Sequence, residues 1–255
     1  MTAELQLIAV PGIPRVQAGD DLVAFIVDGL AVARTSLRDH DVLVVAQKIV
    51  SKSEGRVVDL ASVVPSARAE ELARVVRKDP RLVEVILSES RRVVRAIKDV
   101  LIVEHRLGLV MANAGVDQSN VADPEGASLA LMLPHDPDAS ASRLRNELRR
   151  RLGCSIGVVI NDSFGRPWRV GTVGVAIGCA GLPAVLDLRG DPDLFGRTLQ
   201  TSVLGFADEI AAAASLLMGQ AAEARPVILV RGLKRDEAHQ SAQALLRPPD
   251  EDLFR

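Results

Sequence analysis

The sequence predicts a soluble globular protein that combines strands with helices. Hydrophobic residues make up 48% and charged residues 25% of the 255-residue chain, which allows one large domain or two small ones. Short apolar runs such as residues 5–10 end at Pro, Gly or polar residues, as strands do. Longer segments such as residues 66–77 repeat their apolar positions with the period of a helix. No repeat or Ser/Gly linker divides the chain, so a second domain would have to interleave with the first.

The first half of the chain is predicted to begin with a strand, a Pro-Gly turn and a helix starting near Asp20, whose carboxylate can cap free amides. Residues 66–77 should form an amphipathic helix that Pro80 ends, with a shorter helix through Ser90 after it. Residues 47–56 are interpreted as a polar transition at the end of a strand, and they carry Lys48 and Lys52. The predicted strands here span residues 5–10, 41–46, 93–97, 100–104 and 109–111.

The second half is predicted to contain a helix over residues 138–151, with Gly153 just beyond its end. A buried strand then ends at Ile160, and the next strand, residues 173–180, contains Gly174 and Gly178, which allow close backbone approach. A long Ala-rich helix over residues 201–218 and a strand over residues 226–230 complete the pattern.

Composition narrows the classes of function and the compartment. The net charge is −2 and the chain has no Tyr, so neither bulk positive charge nor aromatic stacking favours nucleic-acid binding. An anionic ligand must therefore meet a local basic cluster. Cys154 and Cys179 are expected to be small apolar residues in a reducing cytoplasm, rather than a disulfide. No signal peptide or membrane span is predicted.

The most informative stretch is residues 158–169, where an apolar strand leads into polar side chains. Asp162 and Ser163 are predicted to lie in the loop beyond the strand, where their oxygens could bind Mg²⁺ or Mn²⁺. Arg166 and Arg169 could bind phosphate or carboxylate in a bidentate manner. The alternative is an ordinary strand followed by a solvated turn, with Trp168 capping the core.

Similar polar segments follow other strands, and the chain lacks the signatures of several common sites. It has no GxxxxGK[ST] loop, no GxGxxG turn opening a helix and no GxSxG elbow, and its four His residues lack metal-ligand spacing. Acidic loops with basic partners remain, and they suit phosphoryl transfer, in which cations neutralise charge on phosphate oxygens.

Six segments, taken together and in order, resemble the coenzyme F420:L-glutamate ligase family, also called F420-0:gamma-glutamyl ligase. They are VPGIP, QKIVSKSEGR, ANAGVDQSN, NDSFGRPWR, DLRGDPDLFGR and ILVRG, within a match that runs from about residue 5 to the end of the chain. The resemblance implies an α+β fold of mixed sheets and flanking helices, with residues 1–255 forming one ligase domain of two interleaved subdomains. It also implies an intertwined homodimer and a stand-alone ligase without the C-terminal nitroreductase-like domain of one family variant.

The resemblance further implies a GTP-dependent ligase that adds L-glutamate to the glutamate-free precursor F420-0 and then adds γ-linked glutamate. Two divalent cations per subunit, Mn²⁺ or Mg²⁺, and K⁺ are implied, and the reaction would pass through an acyl phosphate. Asp117 and Asp162 would bind the first metal, and Ser163 with Gln220 the second. Catalysis is assigned to Asp162, Asp117 and Lys52.

The same resemblance assigns the nucleotide contacts. The residues expected to contact GTP are Val10, Pro11, Gly12, Ile13, Gln47, Lys48, Lys52 and Asn120. Arg166 and Arg169 receive a general anion-binding role, as do Arg189 and Arg197, for which salt bridges to nearby Asp residues are the alternative. Two functional alternatives stay open: an amide ligase for a different carboxylate, and a GTP- or metal-binding protein without turnover.

Overall fold

The computed structural model describes residues 4–121, 126–233, 240–248 and 250–252, which fold as a mixed α+β protein. A five-stranded sheet has helices on both faces, and a smaller unit has its own sheet and core. The helices in this part of the chain are α1 (Leu22–Val32), α2 (Gln47–Ser53), α3 (Ala67–Val76), α4 (Pro80–Ser88), α5 (Pro137–Leu152) and α6 (Phe206–Met218). The strands are β1 (Gln6–Ala9), β2 (Val42–Ala46), β3 (Val57–Asp59), β4 (Ser90–Ile97), β5 (Val100–His105), β6 (Val110–Ala112), β7 (Leu129–Leu131), β8 (Gly157–Gly165), β9 (Thr172–Ala180), β10 (Leu186–Asp187), β11 (Val203–Leu204) and β12 (Val227–Arg231).

The large sheet has the strand order β1-β12-β2-β8-β9. Strands β2 and β8 are parallel, whereas β12 is antiparallel to both β1 and β2. The carboxyl ends of β1, β2 and β8 therefore share one edge with the amino end of β12. Polar segments that lie far apart in the sequence meet at this edge, as the parallel pairing of β2 and β8 requires.

Alternation along the strands divides the core of the large sheet into two layers. Val158 and Ile160 face the layer covered by α1 and α5, whereas Val159 faces α6. Gly178 allows α5 to approach β9, because a Cβ there would lie 2.4 Å from the backbone carbonyl of Pro137. The predicted role of the glycine at this position is thus confirmed.

The smaller unit is built from residues between α2 and α5. Helices α3 and α4 pack on the sheet β4-β5-β6, and the separate core of this unit includes Leu60, Val83 and Leu101. The pair β3–β7 and a bridge between Asp117 and Leu131 also belong to this region. The bridge fixes the backbone of Asp117, which becomes important at the site.

Most predicted elements are confirmed, with shifts at their ends. Asp21, and not Asp20, caps α1, because Asp21 Oδ1 accepts a hydrogen bond from Ala24 N at 3.0 Å. Asp20 accepts instead from the amide of Gln17. Pro80 does not end α3 but occupies the first turn of α4, where the missing N–H costs nothing.

One prediction about element type and one about the start of a helix are wrong. Residues 47–53 form helix α2 and not the predicted polar transition after a strand. The Ala-rich helix begins at Phe206, not at residue 201, because Val203 and Leu204 pair with β10 as a short strand. Among the described residues, none of the helices has the length and hydropathy that a bilayer span requires.

Candidate functional site

A cavity of about 520 Å³ opens at the sheet edge where β2 and β8 end. Its walls come from the turn after β1, the start of α2, the segment after β6 and the connection between α6 and β12. The predicted site residues that line it are Ile13, Gln47, Lys48, Asp117, Asn120, Asp162, Ser163 and Gln220. One cavity therefore collects carboxylates, an ammonium, amides and a hydroxyl from four separate parts of the chain, and Ile13 adds an apolar contribution from a fifth.

Asp162 and Ser163 lie within a strand, so their predicted placement in a loop is wrong. Strand β8 continues to Gly165, because Asp162 and Ser163 pair with Val175 and Gly174 of β9. Successive side chains of a strand point to opposite faces, so the two oxygen donors project to opposite sides of β8. A strand holds these side chains more firmly than a loop would.

The Asp162 carboxyl group has an unusual pKa. Burial raises its pKa to about 6, and the hydrogen bond from the Ser163 amide and the charge of Lys48 only partly oppose this rise. The nearby Asp117 carboxylate adds to it. Two carboxylates held close together in a partly buried place favour a bound cation, which relieves their mutual repulsion.

Lys48 binds the second carboxylate. Its Nζ donates to Asp117 Oδ2 at 2.6 Å and to Ser119 Oγ at 2.6 Å. Burial alone would raise the pKa of Asp117, but hydrogen bonds from Lys48 and from the amide and hydroxyl of Ser119 hold that pKa below its usual value. Asp117 is therefore ionised and oriented at neutral pH.

Lys52 adds positive charge beside the cavity. Its Nζ donates to the carbonyl oxygen of Asn120 at 2.7 Å, and its pKa is lowered by burial and by the charges of Lys48 and Arg15. The positive charges of Lys48, Lys52 and Arg15 repel one another, and a bound polyanion would relieve this repulsion.

The connection after α6 forms the opposite wall. Ser163 Oγ donates to Gln220 Oε1 at 2.7 Å, so the side chain of Gln220 reaches across to β8. Glu223 and Arg225 from the same connection also line the cavity.

The remaining predicted residues lie elsewhere. Val10 is only 1% exposed and packs in the core, while Pro11 and Gly12 lie in the exposed turn beside the cavity wall. Arg166 and Arg169 belong to the turn between β8 and β9 and do not line the cavity. Trp168 in that turn is 88% exposed, which rules out the alternative that it caps the core.

In the segment 187–197, Arg189 forms a salt bridge to a nearby Asp, which was the alternative to an anion-binding role. Arg189 forms a bidentate pair with Asp187, with Nε at 2.8 Å from Oδ1. The backbone amide of Arg197 donates to Asp193 Oδ1, which closes a turn.

A protein-family model described as F420-0:Gamma-glutamyl ligase matches residues 12–232. The chain belongs to this family. A coenzyme F420:L-glutamate ligase of Methanothermobacter thermautotrophicus is 44% identical over 98% of this chain and 99% of the relative. Proteins of the same name from Methanopyrus kandleri and Methanocaldococcus jannaschii are 45% and 42% identical, over 98% and 88% of each chain respectively. Every cavity-lining residue from Ile13 to Pro226 lies inside the segment that matches the F420-0:gamma-glutamyl ligase family.

Sequence reasoning missed part of the cavity wall of this F420-0:gamma-glutamyl ligase family member. Arg15, Asn161, Ser119 and most of residues 218–226 line the cavity without having been predicted. A signal was available for the last segment, since Glu223 and Arg225 place two charged side chains in a short helix-to-strand connection. Asn161 gave no such signal, because its burial depends on how closely α6 packs against β8.

The oxygen donors at the cavity fit Mg²⁺ or Mn²⁺. Asp117, Asp162, Ser163 and Gln220 supply two carboxylates, a hydroxyl and an amide oxygen, and hard divalent cations prefer such ligands. No group of three or more His, Cys, Asp or Glu side chains with metal-binding geometry occurs among the described residues. A cation held by Asp117 and Asp162 would therefore take further ligands from neutral oxygens, water or substrate phosphate, as Mg²⁺ commonly does.

Proposed function

We propose that this protein is a GTP-dependent coenzyme F420:L-glutamate ligase that glutamylates F420-0. The observation that carries the proposal is the convergence of Asp117, Asp162, Lys48 and Ser163 on one cavity at the end of parallel strands. The names of the relatives, which are similar over nearly the whole chain, support the substrate.

The reaction needs an activated carboxylate, because oxide is too poor a leaving group for direct amide formation. A carboxylate oxygen of F420-0 attacks the γ-phosphorus of GTP, the bond to the β-phosphate oxygen breaks, and GDP leaves. The glutamate amine then attacks the acyl carbon, and inorganic phosphate departs with the former carboxylate oxygen. The protein supplies no covalent nucleophile in this scheme and has to position the reactants and stabilise charge.

The side chains at the cavity suit that task. We assign Lys48 and Lys52 to the nucleotide phosphates, together with the start of α2, Asn120 and the turn at Pro11 to Ile13. Arg166 and Arg169 retain a proposed role in anion binding, at the turn of the β8–β9 hairpin. Gln47 is 3% exposed, and its Oε1 accepts a hydrogen bond from Ser51 Oγ. We therefore assign Gln47 a structural role in the cavity wall beside the proposed phosphate site.

Divalent cations, Mn²⁺ or Mg²⁺, would neutralise phosphate oxygens when bound. Asp117 and Asp162 would hold one on the α2 side of β8, and Ser163 with Gln220 would hold the other on the α6 side. We further propose K⁺ as a cofactor.

We also propose the assembly and the catalytic assignments implied by the resemblance. Asp162, Asp117 and Lys52 are the proposed catalytic residues, and residues 1–255 form one ligase domain with two interleaved subdomains. The active form is an intertwined homodimer in the cytoplasm. Exposed apolar side chains in two loops, Trp168, Val170, Leu194 and Phe195, support an assembly that covers them.

The first test is mass spectrometry of F420-0 after incubation with the purified protein, GTP, L-glutamate and Mn²⁺, with GDP measured in parallel. We expect products heavier by whole glutamyl units and one GDP per added glutamate. GDP release without glutamylation of F420-0 would favour a different carboxylate acceptor. GTP and Mn²⁺ binding without turnover would favour a non-catalytic protein and contradict the proposal.

The Asp162→Ala variant links that activity to the cavity. We expect loss of glutamylation by a factor of about 100 or more, because the carboxylate it removes would hold the divalent cation that neutralises the reacting phosphate. The fold should survive, and circular dichroism checks that it does. Full activity in this variant would show that the cavity is not the active site.

A further inference from the structure

Asn161 is a buried polar residue between the two faces of the site. It is 4% exposed, lies directly before Asp162 and lines the cavity. Its Nδ2 donates to Ser215 Oγ at 3.1 Å and lies 3.6 Å from Met218 Sδ, so it joins β8 to the last turns of α6. Its Oδ1 is buried and accepts no hydrogen bond among the described residues.

Gly174 makes this contact possible. It lies opposite Ser163 on β9, and a Cβ there would lie 2.1 Å from Ser215 Oγ and 2.5 Å from the carbonyl oxygen of Ala211. The φ of Gly174 is not in the left-handed region, so the backbone itself does not require glycine. Glycine at position 174 therefore leaves space for the end of α6.

An apolar residue would be the simpler choice at position 161. Several neighbouring positions on this face of the sheet and on α6 are apolar, including Val159, Ala211 and Ala214. A buried carbonyl without a partner costs about 1–3 kcal/mol, whereas replacing a buried polar pair by apolar groups of similar shape is close to neutral. The amide at Asn161 therefore lowers the stability of the fold, and the contact that it makes with α6 must serve another purpose.

We propose that Asn161, Ser215 and Gly174 form a clamp that sets the position of Gln220 relative to Ser163. Two hydrogen bonds cross from β8 to the end of α6: Asn161 to Ser215, and Ser163 to Gln220. The Asn161–Ser215 bond fixes the end of α6. Ser163 Oγ and Gln220 Oε1 therefore keep their spacing. Asn161 is a positioning residue in this proposal, which rests on the proposed function through the metal assigned to Ser163 and Gln220.

Three variants test the clamp in the full-length protein. The double variant Asn161→Leu/Ser215→Ala removes both partners of the hydrogen bond while keeping the volume at position 161 similar. Gly174→Ala pushes α6 away from β9 by overlap with the backbone of Ala211. Gly165→Ala is the matched control, because the added Cβ at this β8 position meets nothing within 4 Å and its φ is not left-handed.

The readouts are Mn²⁺ affinity by calorimetry, thermal unfolding, and hydrogen–deuterium exchange of amides 215–220. We expect the double variant and Gly174→Ala to bind Mn²⁺ about 10-fold or more weakly, as for other residues that orient ligands. Exchange at the end of α6 should be faster in both. The double variant should unfold at the wild-type temperature or higher, which separates positioning from a role in stability. Gly165→Ala should match the wild type in all three measurements.

The outcomes separate the clamp from the proposed function. If both clamp variants bound Mn²⁺ as tightly as the wild type and exchanged amides 215–220 at the same rate, the clamp proposal would be overturned. If the wild-type protein bound no Mn²⁺, the proposed metal sites would fail, and exchange at the end of α6 alone would decide whether the clamp holds Gln220.

Discussion

At the residue scale, Glu89 is a buried acid with a strongly lowered pKa outside the cavity, at the junction of the two units. It is 8% exposed, and its Oε2 lies 2.8 Å from Arg56 Nη2 and 3.0 Å from Arg106 Nε. Burial alone would raise its pKa, but His105, Arg56 and Arg106 together lower it to about 2. Arg56 lies three residues after the end of α2, so this cluster holds the small unit against the segment that carries Lys48.

The pKa of Glu89 predicts how its contribution to stability depends on pH. A fall from 4.5 to about 2 corresponds to about 3 kcal/mol of stabilisation by the ionised form. Because the pKa is lowered on folding, this stabilisation is present above pH 4.5 and is lost as the pH falls towards 2. Glu89→Gln should therefore lower the free energy of unfolding by about 3 kcal/mol at pH 7 and by roughly half of that at pH 3.

Chemical denaturation of wild type and variant at the two pH values checks this prediction. Glu71→Gln is the control, because the Arg68–Glu71 pair is exposed and its loss should leave stability unchanged. An equal loss of stability at both pH values in Glu89→Gln would contradict the assigned ionisation.

At the element scale, the start of α1 shows what a sequence pattern can miss by one residue. Asp20 and Asp21 are both suitable capping residues, and the choice depends on where the chain turns. The turn at Gln17 to Asp20 uses the Asp20 carboxylate, which leaves Asp21 to cap the helix. Asp21 also pairs with Arg151 of α5 at 2.7 Å.

Replacement of the two residues should therefore have unequal effects. Asp21→Ala should lower the free energy of unfolding by about 1 kcal/mol, the usual value of a cap. Asp21→Asn should stay near the wild type, because asparagine caps equally well and only an exposed ion pair is lost. Denaturant titration measures both, and a larger loss in Asp20→Ala than in Asp21→Ala would contradict the assigned cap.

The amphipathic helices and the alternating strands could be predicted because burial alone determines their patterns. Ser66 caps α3 and Gly153 ends α5 in the left-handed region, as their residue types indicate. Helix α2 could not be recognised, since it starts without a linker after β2 and contains the β-prone pair Ile49 and Val50. Its hydrogen bonds form because the sheet edge stops pairing at Ala46.

The site was predictable in its chemistry and less so in its geometry. The polar segments after strands pointed to Asp162 and Lys48, and the family resemblance pointed to Asp117; all three line one cavity. The local sequence could not show that β8 continues through Ser163, because its partner β9 lies beyond a Gly-Pro turn. Tertiary pairing thus decided which polar residues are held by a strand.

At the scale of the whole molecule, exposed apolar side chains are candidates for the contact surface of the proposed homodimer. Leu194 and Phe195, at a turn between β10 and β11, are 98% and 95% exposed, and Trp168 lies open in another turn. Large exposed apolar groups of this kind mark interaction sites when they cluster in one segment. The proposed homodimer would bury them.

The variant Leu194→Glu/Phe195→Glu should convert the dimer to monomer. Buried aromatic and aliphatic anchors each contribute about 2 kcal/mol or more to an interface, and an unpaired carboxylate in their place adds a desolvation cost. Sedimentation equilibrium measures the change, with thermal unfolding as the check on folding. Val64→Glu is the control, because Val64 is 86% exposed in the small unit and outside both turns. A wild-type protein that sedimented as a monomer would contradict the dimer, and a double variant that stayed dimeric would place the interface elsewhere.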